Sequence, residues 1–449
     1  FAARLLPGKI HPLINYSFES SEKTYQFEHI TSGVEYGGEN LQTIVTISRR
    51  EDHLNTEEAF VLSSRGYFGE FDLRFQTHNG WKQSLTYRKR INTQILEEKD
   101  LDYDLAQARI FFRRPSHPLR LDVKLKLEEA LTENRATIYD SVGVGLGTYR
   151  YDPQFEEYVS DPNGAYIAYT ILTGSREPTT QFEGIQSLEY DFSKRLNSKF
   201  KYIKYRLDWL WDFNGKNFSV NQYREDDLNA STIIRSRSKL RHEWNYVNRA
   251  GRQIRTWWLG EKDLNSLDPR GSDLRKNTEL AVDWLEPINA NTHVVVKLNQ
   301  HASNVESGFS LSRDRSAQGT WVEIGIKQRF SSLWQTEILL RNGYDIGRHQ
   351  MSNYSAALRG IRLDILHFFS SKGRLQGRFE WATVDLDGDA VYLPPEAVRG
   401  HALGDTRKVN VQGHMLLHQN FSINVTINYI SDIRYDNFIN ITGEIRAYF

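Results

Sequence analysis

Apolar and polar residues alternate with a period of two along most of this chain. From Phe421 to Tyr429 every odd-numbered residue is apolar and every even-numbered residue is polar. From Leu119 to Glu128 leucine or valine alternates with a charged residue. Successive side chains of a β-strand point to opposite faces, so these segments are predicted to be strands with one apolar and one charged face. A helical period is found almost nowhere, which favours an all-β fold.

The same alternation suits two kinds of β-protein. A water-soluble antiparallel sheet places its apolar face in a core and its polar face in solvent. A transmembrane barrel turns its apolar face to lipid and its charged face to the lumen. No run approaches the roughly 18 consecutive apolar residues of a membrane-spanning helix, whereas a barrel strand needs only about 9–11 residues.

The lengths of the connections favour the barrel. Short connections are predicted at 77–80, 115–118, 194–199, 248–251, 288–291, 331–333, 370–373 and 418–420, and longer polar ones at 97–102, 143–178, 214–229, 262–276, 302–318, 343–353 and 386–407. Outer-membrane barrels have short periplasmic turns and long extracellular loops. We therefore predict a transmembrane antiparallel up-and-down β-barrel of about 18 strands, within limits of about 16 and about 20, with short periplasmic turns and long extracellular loops.

The barrel is predicted to begin after a short lead-in. Residues 1–40 are interpreted as an N-terminal segment that contains an extra hairpin or a periplasmic or lumen segment. Residues 41–449 are interpreted as the barrel, with the long extracellular loop at 143–178.

The charged face carries both signs. The predicted lumen-lining residues are Arg74, Lys124, Lys204, Arg206, Arg235, Arg237, Lys297, Lys327, Glu323, Glu444 and Arg446. These charges either line an aqueous pore and tune its selectivity, or pair across strands in a barrel filled by loops or by a partner. The chain has 57 Lys and Arg against 57 Asp and Glu, and this zero net charge argues against a nucleic-acid partner.

The residues give little sign of catalysis or of a cofactor. The chain has no Cys, which excludes disulfides, thiolate metal sites and Cys nucleophiles. No catalytic site and no cofactor are predicted, so the chain is not expected to be an enzyme. Asp385, Asp387 and Asp389 are a weak candidate for a calcium-binding loop, because carboxylate oxygens at close spacing suit hard cations.

The C-terminal strand resembles the signature of bacterial outer-membrane barrels. It runs from Ile439 to Phe449 with alternating apolar residues and a terminal aromatic, although Ala447 stands where an aromatic is usual. The resemblance implies that Phe449 is an assembly signal read by the barrel assembly machinery. The stretches 142–153 and 158–166 and the ending 446–449 also resemble the C-terminal barrel of large uncharacterised outer-membrane proteins of Bacteroidetes-type bacteria.

A second short motif lies in the last long loop. Val398-Arg399-Gly400-His401 is similar to the Val-Arg-Gly-aromatic motif of the barrel insertase and two-partner secretion superfamily, with His401 in the aromatic position. In that family the arginine belongs to a long loop folded into the lumen, and the resemblance implies the same for Arg399. Only three predicted strands follow the motif in this chain.

The predicted function is that of an integral barrel in the bacterial outer membrane. It acts as a channel or translocation scaffold, alone or as a subunit of a larger envelope complex. Its expected partners are outer-membrane lipid and lipopolysaccharide, the barrel assembly machinery and proteins of such a complex. Two alternatives remain: a surface-exposed binding or adhesion barrel that acts through 143–178 and 386–407, and a soluble β-sandwich that binds polysaccharide.

Overall fold

The structure is a computed structural model, and it describes most of the chain. The described residues are 2–4, 9–21, 24–56, 59–95, 99–144, 146–153, 157–195, 200–216, 218, 232–267, 271–308, 313–349, 352–369, 372–390, 393–418 and 420–447. The prediction of an all-β, antiparallel, up-and-down chain is confirmed in these residues. Among their helical segments, none has the length and apolar character needed to cross a membrane.

The strands follow one another along the whole chain. In chain order they are β1 (Ala2–Arg4), β2 (Ile10–Ser21), β3 (Tyr25–Gly37), β4 (Leu41–Asn55), β5 (Phe60–Gln76), β6 (Trp81–Gln94), β7 (Lys99–Arg113), β8 (Leu119–Ser141), β9 (Gly147–Asp152), β10 (Glu157–Gly164), β11 (Tyr166–Asp191), β12 (Ile203–Gly215), β13 (Ile233–Val247), β14 (Gln253–Asn265), β15 (Asp273–Pro287), β16 (Thr292–Ser307), β17 (Arg315–Arg329), β18 (Trp334–His349), β19 (Ser352–Phe368), β20 (Gly373–Gly388), β21 (Gly404–His418), β22 (Phe421–Asp432) and β23 (Tyr435–Ala447). The described residues also include two short 3-10 helices, Phe192–Lys194 and Ala397–Gly400.

The predicted count of about 18 strands was wrong. The described residues form 23 strands, the first of which has only three residues. The strands β4 to β8 and β11 to β23 are the ones that the alternation predicts, and β1 to β3, β9 and β10 are additional. Strand β2 alternates clearly, with Ile14, Tyr16 and Phe18 on one face, whereas β3 has polar residues on both faces and its period-two signal is weak.

Two compact units divide the chain, and strands β12, β13 and β14 contribute residues to both. The first unit comprises 1–196, 207–239 and 264–270, and in it each strand from β1 to β8 pairs with the next. Strand β8 pairs further with β11, and β9 pairs with β10 and β11. The second unit comprises 197–206, 240–263 and 271–449, and in it β15 to β23 pair consecutively.

Several predicted loops are strand instead. Strands β18 and β19 extend through most of 343–353, and the stretch 143–178 contains β9, β10 and the first half of β11. Strands β8 and β11 have 23 and 26 residues, well beyond the roughly 9–11 residues that cross a bilayer. The polar composition of these stretches therefore did not indicate the absence of strand.

The two faces of the strands in the second unit differ in exposure. On β17 and β18 the apolar side chains Ile324 and Leu340 are 50% and 64% exposed. The charged residues Glu323 and Arg341, on the opposite face, are 3% and 8% exposed. We call these the apolar face and the polar face of β15–β20. The polar face is the buried one, the reverse of the arrangement in a water-soluble sheet.

Candidate functional site

The buried charges on the polar face result from strand register. Glu323 on β17 lies opposite Lys297 on β16 and opposite Arg341 on β18. Because side chains at directly opposed positions share a face, this register brings one acidic and two basic groups together. Local alternation selects the face, and pairing of three strands assembles the cluster.

Arg341 is the centre of this charge cluster. Its Nε donates a 2.8 Å hydrogen bond to Oε1 of Glu323, and its Nη1 lies 2.8 Å from Oε1 of Glu380 on β20. All three side chains are buried or nearly so. Removing charges from water is costly, so a buried arginine between two carboxylates is stable only while each charge keeps its counter-ion.

Further ion pairs extend the cluster along the same face. Lys297 donates a 3.2 Å hydrogen bond to Glu337. Arg362 and Arg378 both donate to Asp364, at 2.8 and 2.6 Å. The polar face therefore carries a connected network of mixed sign.

A turn from the β20–β21 connection packs on this face. Residues 396–401, here called the inserted turn, include the 3-10 helix Ala397–Gly400, which contacts β17, β18 and β19. Glu396 accepts hydrogen bonds of 2.8 and 2.9 Å from Arg315 on β17. At the other end of the turn, Nε2 of His401 lies 3.0 Å from Oε1 of Glu380.

The backbone of the inserted turn is strained. Val398 and Arg399 have φ angles of 44° and 52°, in the left-handed region. That region is unfavourable for a β-branched residue, and each such residue costs on the order of 1–3 kcal/mol. Full burial of Val398 offsets this cost, since burying a valine side chain contributes roughly 1.5–3 kcal/mol. The guanidinium of Arg399 stacks 4.7 Å above the ring of Trp321, which adds a cation–π contact.

Small residues on the polar face make room for the turn and for the indole ring beneath it. Ala317, Ala356 and Ala382 belong to the same buried cluster as Ala397 and Val398 of the turn. On β18, a Cβ atom added at Gly343 would lie 2.9 Å from Cδ2 of Trp321. The ring can therefore lie flat on the strand only because Gly343 has no side chain.

A cavity of about 490 Å³ opens beside the inserted turn and is lined by residues of β14 to β17, of β19 and of the turn itself. Its charged lining comprises Glu279, Asp283, Lys297, Glu323, Arg362, Glu396 and Arg399. Acidic and basic groups are almost equal in number, so the cavity has no strong net charge. It suits a polar solute that is neutral overall.

The structure brings together only some of the residues predicted to line a lumen. Lys297 and Glu323 belong to the charge cluster, and Lys327 lies on the same face of β17, where it is opposite Glu337. Glu444 and Arg446 form an exposed pair of their own on β23, with a distance of 2.8 Å.

The other predicted residues lie on strands outside the cluster. Arg74 is on β5, Lys124 on β8, and Arg235 and Arg237 on β13, all in the first unit. Lys204 and Arg206 are on β12, in the part that belongs to the second unit. The predicted assembly signal, Phe449, lies outside the described residues.

The weak calcium candidate does not have the geometry of a calcium loop. Asp385 and Asp387 are residues of strand β20, and Asp389 follows its end. All three are exposed. In the part of the chain that the structure describes, no group of three or more His, Cys, Asp or Glu side chains could hold a metal ion.

Several residues of the site were missed by the sequence analysis. Arg341 and Asp345 belong to β18, whose end was predicted as loop, and Glu380 and Trp321 were not selected. The parity of β18 carried a signal, since Ile338, Leu340, Tyr344 and Ile346 all fall on even positions. The motif at 398–401 falls in the inserted turn, and Arg399 lies over the ring of Trp321 on the polar face.

Comparisons with known proteins find similarity only at the level of structure. No protein-family model matches the chain, and no curated protein does. The ferric enterobactin receptor PfeA matches with a TM-score of 0.32 and 9% identity, over 98% of this chain and 81% of that one. The siderophore receptor PirA from Pseudomonas aeruginosa matches with a TM-score of 0.41 and 8% identity, over 96% and 71%. The copper transporter OprC matches with a TM-score of 0.35 and 8% identity, over 93% and 69%. At these scores the likeness carries no argument about what the chain does.

Proposed function

We propose that this chain is an integral β-barrel of the bacterial outer membrane that acts as a channel or translocation scaffold with a charged lumen. The observation that carries the proposal is the inverted exposure of the two strand faces. Ile324 and Leu340 are exposed, whereas Glu323 and Arg341 are buried. An apolar face of this extent is unfavourable in water and favourable in lipid.

The first unit supports the same proposal independently. On strand β4, Val45 and Ile47 are 44% and 69% exposed. On the polar side, Arg109 of β7 donates two hydrogen bonds to Asp122 of β8, at 3.1 and 2.9 Å. A soluble β-sandwich that binds polysaccharide would bury side chains such as Ile47, so the exposure disfavours that alternative.

The mixed signs on the polar face favour a scaffold or a weakly selective pore. A strongly selective channel has an excess of one sign along its lumen. Here one basic group, Arg341, pairs with two acidic groups, Glu323 and Glu380, and the inserted turn occupies part of the face that would line the lumen. The proposed lumen is therefore narrowed by a segment of the chain itself.

The proposed partners follow from the proposed location. Lipid and lipopolysaccharide would contact the apolar face, and the barrel assembly machinery would read the C-terminal segment that includes Phe449. Proteins of an envelope complex remain proposed partners as well. Equal numbers of acidic and basic residues argue against a nucleic-acid partner.

Two measurements test this function. The protein expressed in a Gram-negative host should stay in the membrane pellet after high-salt and carbonate washes, and its release into the supernatant would contradict the proposal. Purified protein in planar bilayers should then show single-channel openings if the lumen conducts. A folded sample without openings would exclude the channel and leave the scaffold.

A surface-binding role is the second candidate, and the β8–β11 pair favours it. The residues Ser141 and Tyr166 are paired at the far end of β8 and β11. This end lies beyond Glu128, the last residue of β8 that is paired with β7 among the described residues. Near this end, the rings of Tyr139 and Tyr158 stack with centroids 4.0 Å apart. Replacing the residues between Ser141 and Tyr166 by a two-residue turn should abolish surface binding and leave membrane insertion intact. Unchanged adhesion of cells carrying this variant would exclude the role.

A further inference from the structure

The cavity beside the inserted turn contains two charged groups whose side chains make no hydrogen bond to the described residues. Most charges of its lining are already paired. Glu279 accepts hydrogen bonds from Asn299 and Trp257, at 2.6 and 3.2 Å. Lys297 donates to Glu337, and Glu396 is held by Arg315. The remaining two are Asp283 on β15 and Arg399 in the inserted turn.

Asp283 and Arg399 have opposite charges and unused hydrogen-bonding capacity. Among the described residues, the carboxylate of Asp283 makes no hydrogen bond and no ion pair within 4.0 Å. The guanidinium of Arg399 makes no hydrogen bond to them, and its nearest carboxylate oxygen, Oε1 of Glu323, is 3.7 Å away. A half-buried acceptor and a five-donor cation that line one cavity match a ligand that carries both charges.

The aromatic residues of the cavity argue against a stacked sugar. The ring of Trp321 is covered by Arg399 at 4.7 Å. The ring of Trp257 is flanked by Arg241 and Arg255, at 5.5 and 5.1 Å. Saccharides bind such rings through the open face, and these faces are occupied by arginine. Recognition in this cavity therefore depends on charge and hydrogen bonding.

We infer that the cavity binds a zwitterionic solute of the peptide class, with its ammonium group at Asp283 and its carboxylate at Arg399. The near-equal numbers of acidic and basic groups suit a ligand with no net charge, and about 490 Å³ lies within the usual range of ligand pockets. The inference rests on the proposed function, because a solute reaches the polar face only if that face meets water. It names the class of solute that the proposed lumen would hold or pass.

The test uses the full chain, folded in detergent, and trialanine as the probe. Isothermal titration calorimetry measures the affinity of trialanine with free termini and of the same peptide with an acetylated N-terminus and an amidated C-terminus. The free peptide should bind, and the blocked peptide should bind at least about tenfold more weakly, since each lost charge-assisted hydrogen bond weakens binding by about that factor. Equal affinity for the two peptides, or no binding of the free peptide, would overturn the inference.

Matched variants locate the site. Asp283→Asn and Arg399→Gln should each lower the affinity for free trialanine about tenfold, because each removes one charge from the pair. Asp389→Asn, an exposed residue outside the cavity, should leave it unchanged. Normal binding by Asp283→Asn would overturn the assignment. Calorimetry needs no open pore, so a sample that binds trialanine but does not conduct would separate this inference from the channel proposal.

Discussion

The carboxylate of Asp345 accepts a 2.6 Å hydrogen bond from the backbone N–H of Val398, which lies 53 residues further along the chain. Both residues are fully buried. The bond joins strand β18 to the inserted turn at the point where the turn's backbone is most strained. The strained conformation therefore persists because the surrounding strands hold it, rather than through local sequence preference.

Removing this acceptor should loosen the inserted turn. In Asp345→Ala the N–H of Val398 is left buried and unsatisfied, which costs about 1–3 kcal/mol of unfolding free energy. Trypsin should then cleave after Arg399 faster than in the wild type, and urea titration followed by tryptophan fluorescence should report the lower stability. The matched control is Asp436→Ala, since Asp436 is exposed on β23. Identical cleavage rates for Asp345→Ala and the wild type would show that the bond does not hold the turn.

Two ion pairs of equal length should differ in strength. The Arg315–Glu396 and Arg446–Glu444 pairs both have distances of 2.8 Å. Side chains of the first pair are 17% and 20% exposed, and those of the second are 56% and 52% exposed. Solvent screens the second pair, so double-mutant cycles should give a coupling of about 1–2 kcal/mol for the first pair and no measurable coupling for the second. Equal couplings from chemical denaturation would contradict this dependence on burial.

Gly343 should tolerate no side chain. In Gly343→Ala the new methyl group meets the Trp321 ring at 2.9 Å from Cδ2, and overpacking of this kind costs about 1–3 kcal/mol. The displaced indole should also change the near-ultraviolet circular dichroism. Gly443→Ala on β23 is the control, because a Cβ atom there meets nothing within 4 Å. Unfolding of both variants at the same denaturant concentration would contradict the predicted clash with Trp321.

A lysine on the apolar face distinguishes lipid from water as its surroundings. Leu340 is 64% exposed, so in a soluble protein Leu340→Lys should change stability by no more than about 0.5 kcal/mol. In a lipid-facing position near the bilayer midplane the same change costs about 2–4 kcal/mol. Reversible urea unfolding in liposomes measures the difference. Ser332→Lys, in the turn between β17 and β18, should be neutral in either case.

The strands could be predicted from sequence to the extent that their two faces differ in polarity. Strand β22 alternates strictly, and its limits agree closely with those predicted. The strand predicted at the position of β18 ends too early, because Asp345 and Arg348 are polar and were assigned to a loop. In the structure both residues continue the pairing with β17. Lys297 and Glu323 were found because alternation placed them on the charged face. Arg341 was missed because it adjoins a stretch interpreted as loop.

The packing of the inserted turn could not be predicted from the local sequence pattern. The motif at 398–401 indicated that Arg399 belongs to a folded-in loop, but no spacing connects it with Trp321 or Asp345. The packing of the inserted turn on the polar face depends on the absence of a side chain at Gly343, which lets the ring of Trp321 lie flat. It also depends on the carboxylate of Asp345, which accepts a hydrogen bond from Val398, 53 residues away in sequence. Such conditions are set by neighbouring strands and cannot be read from one segment.

The sequence by itself determined that this chain forms antiparallel strands with one apolar and one charged face, because side-chain direction in a strand is a local property of period two. The tertiary structure decided which face is buried, which charges meet, and where the inserted turn packs. Those outcomes depend on register between strands and on steric fit between distant residues, since Glu323, Arg341 and Glu380 become neighbours only when β17 to β20 are aligned.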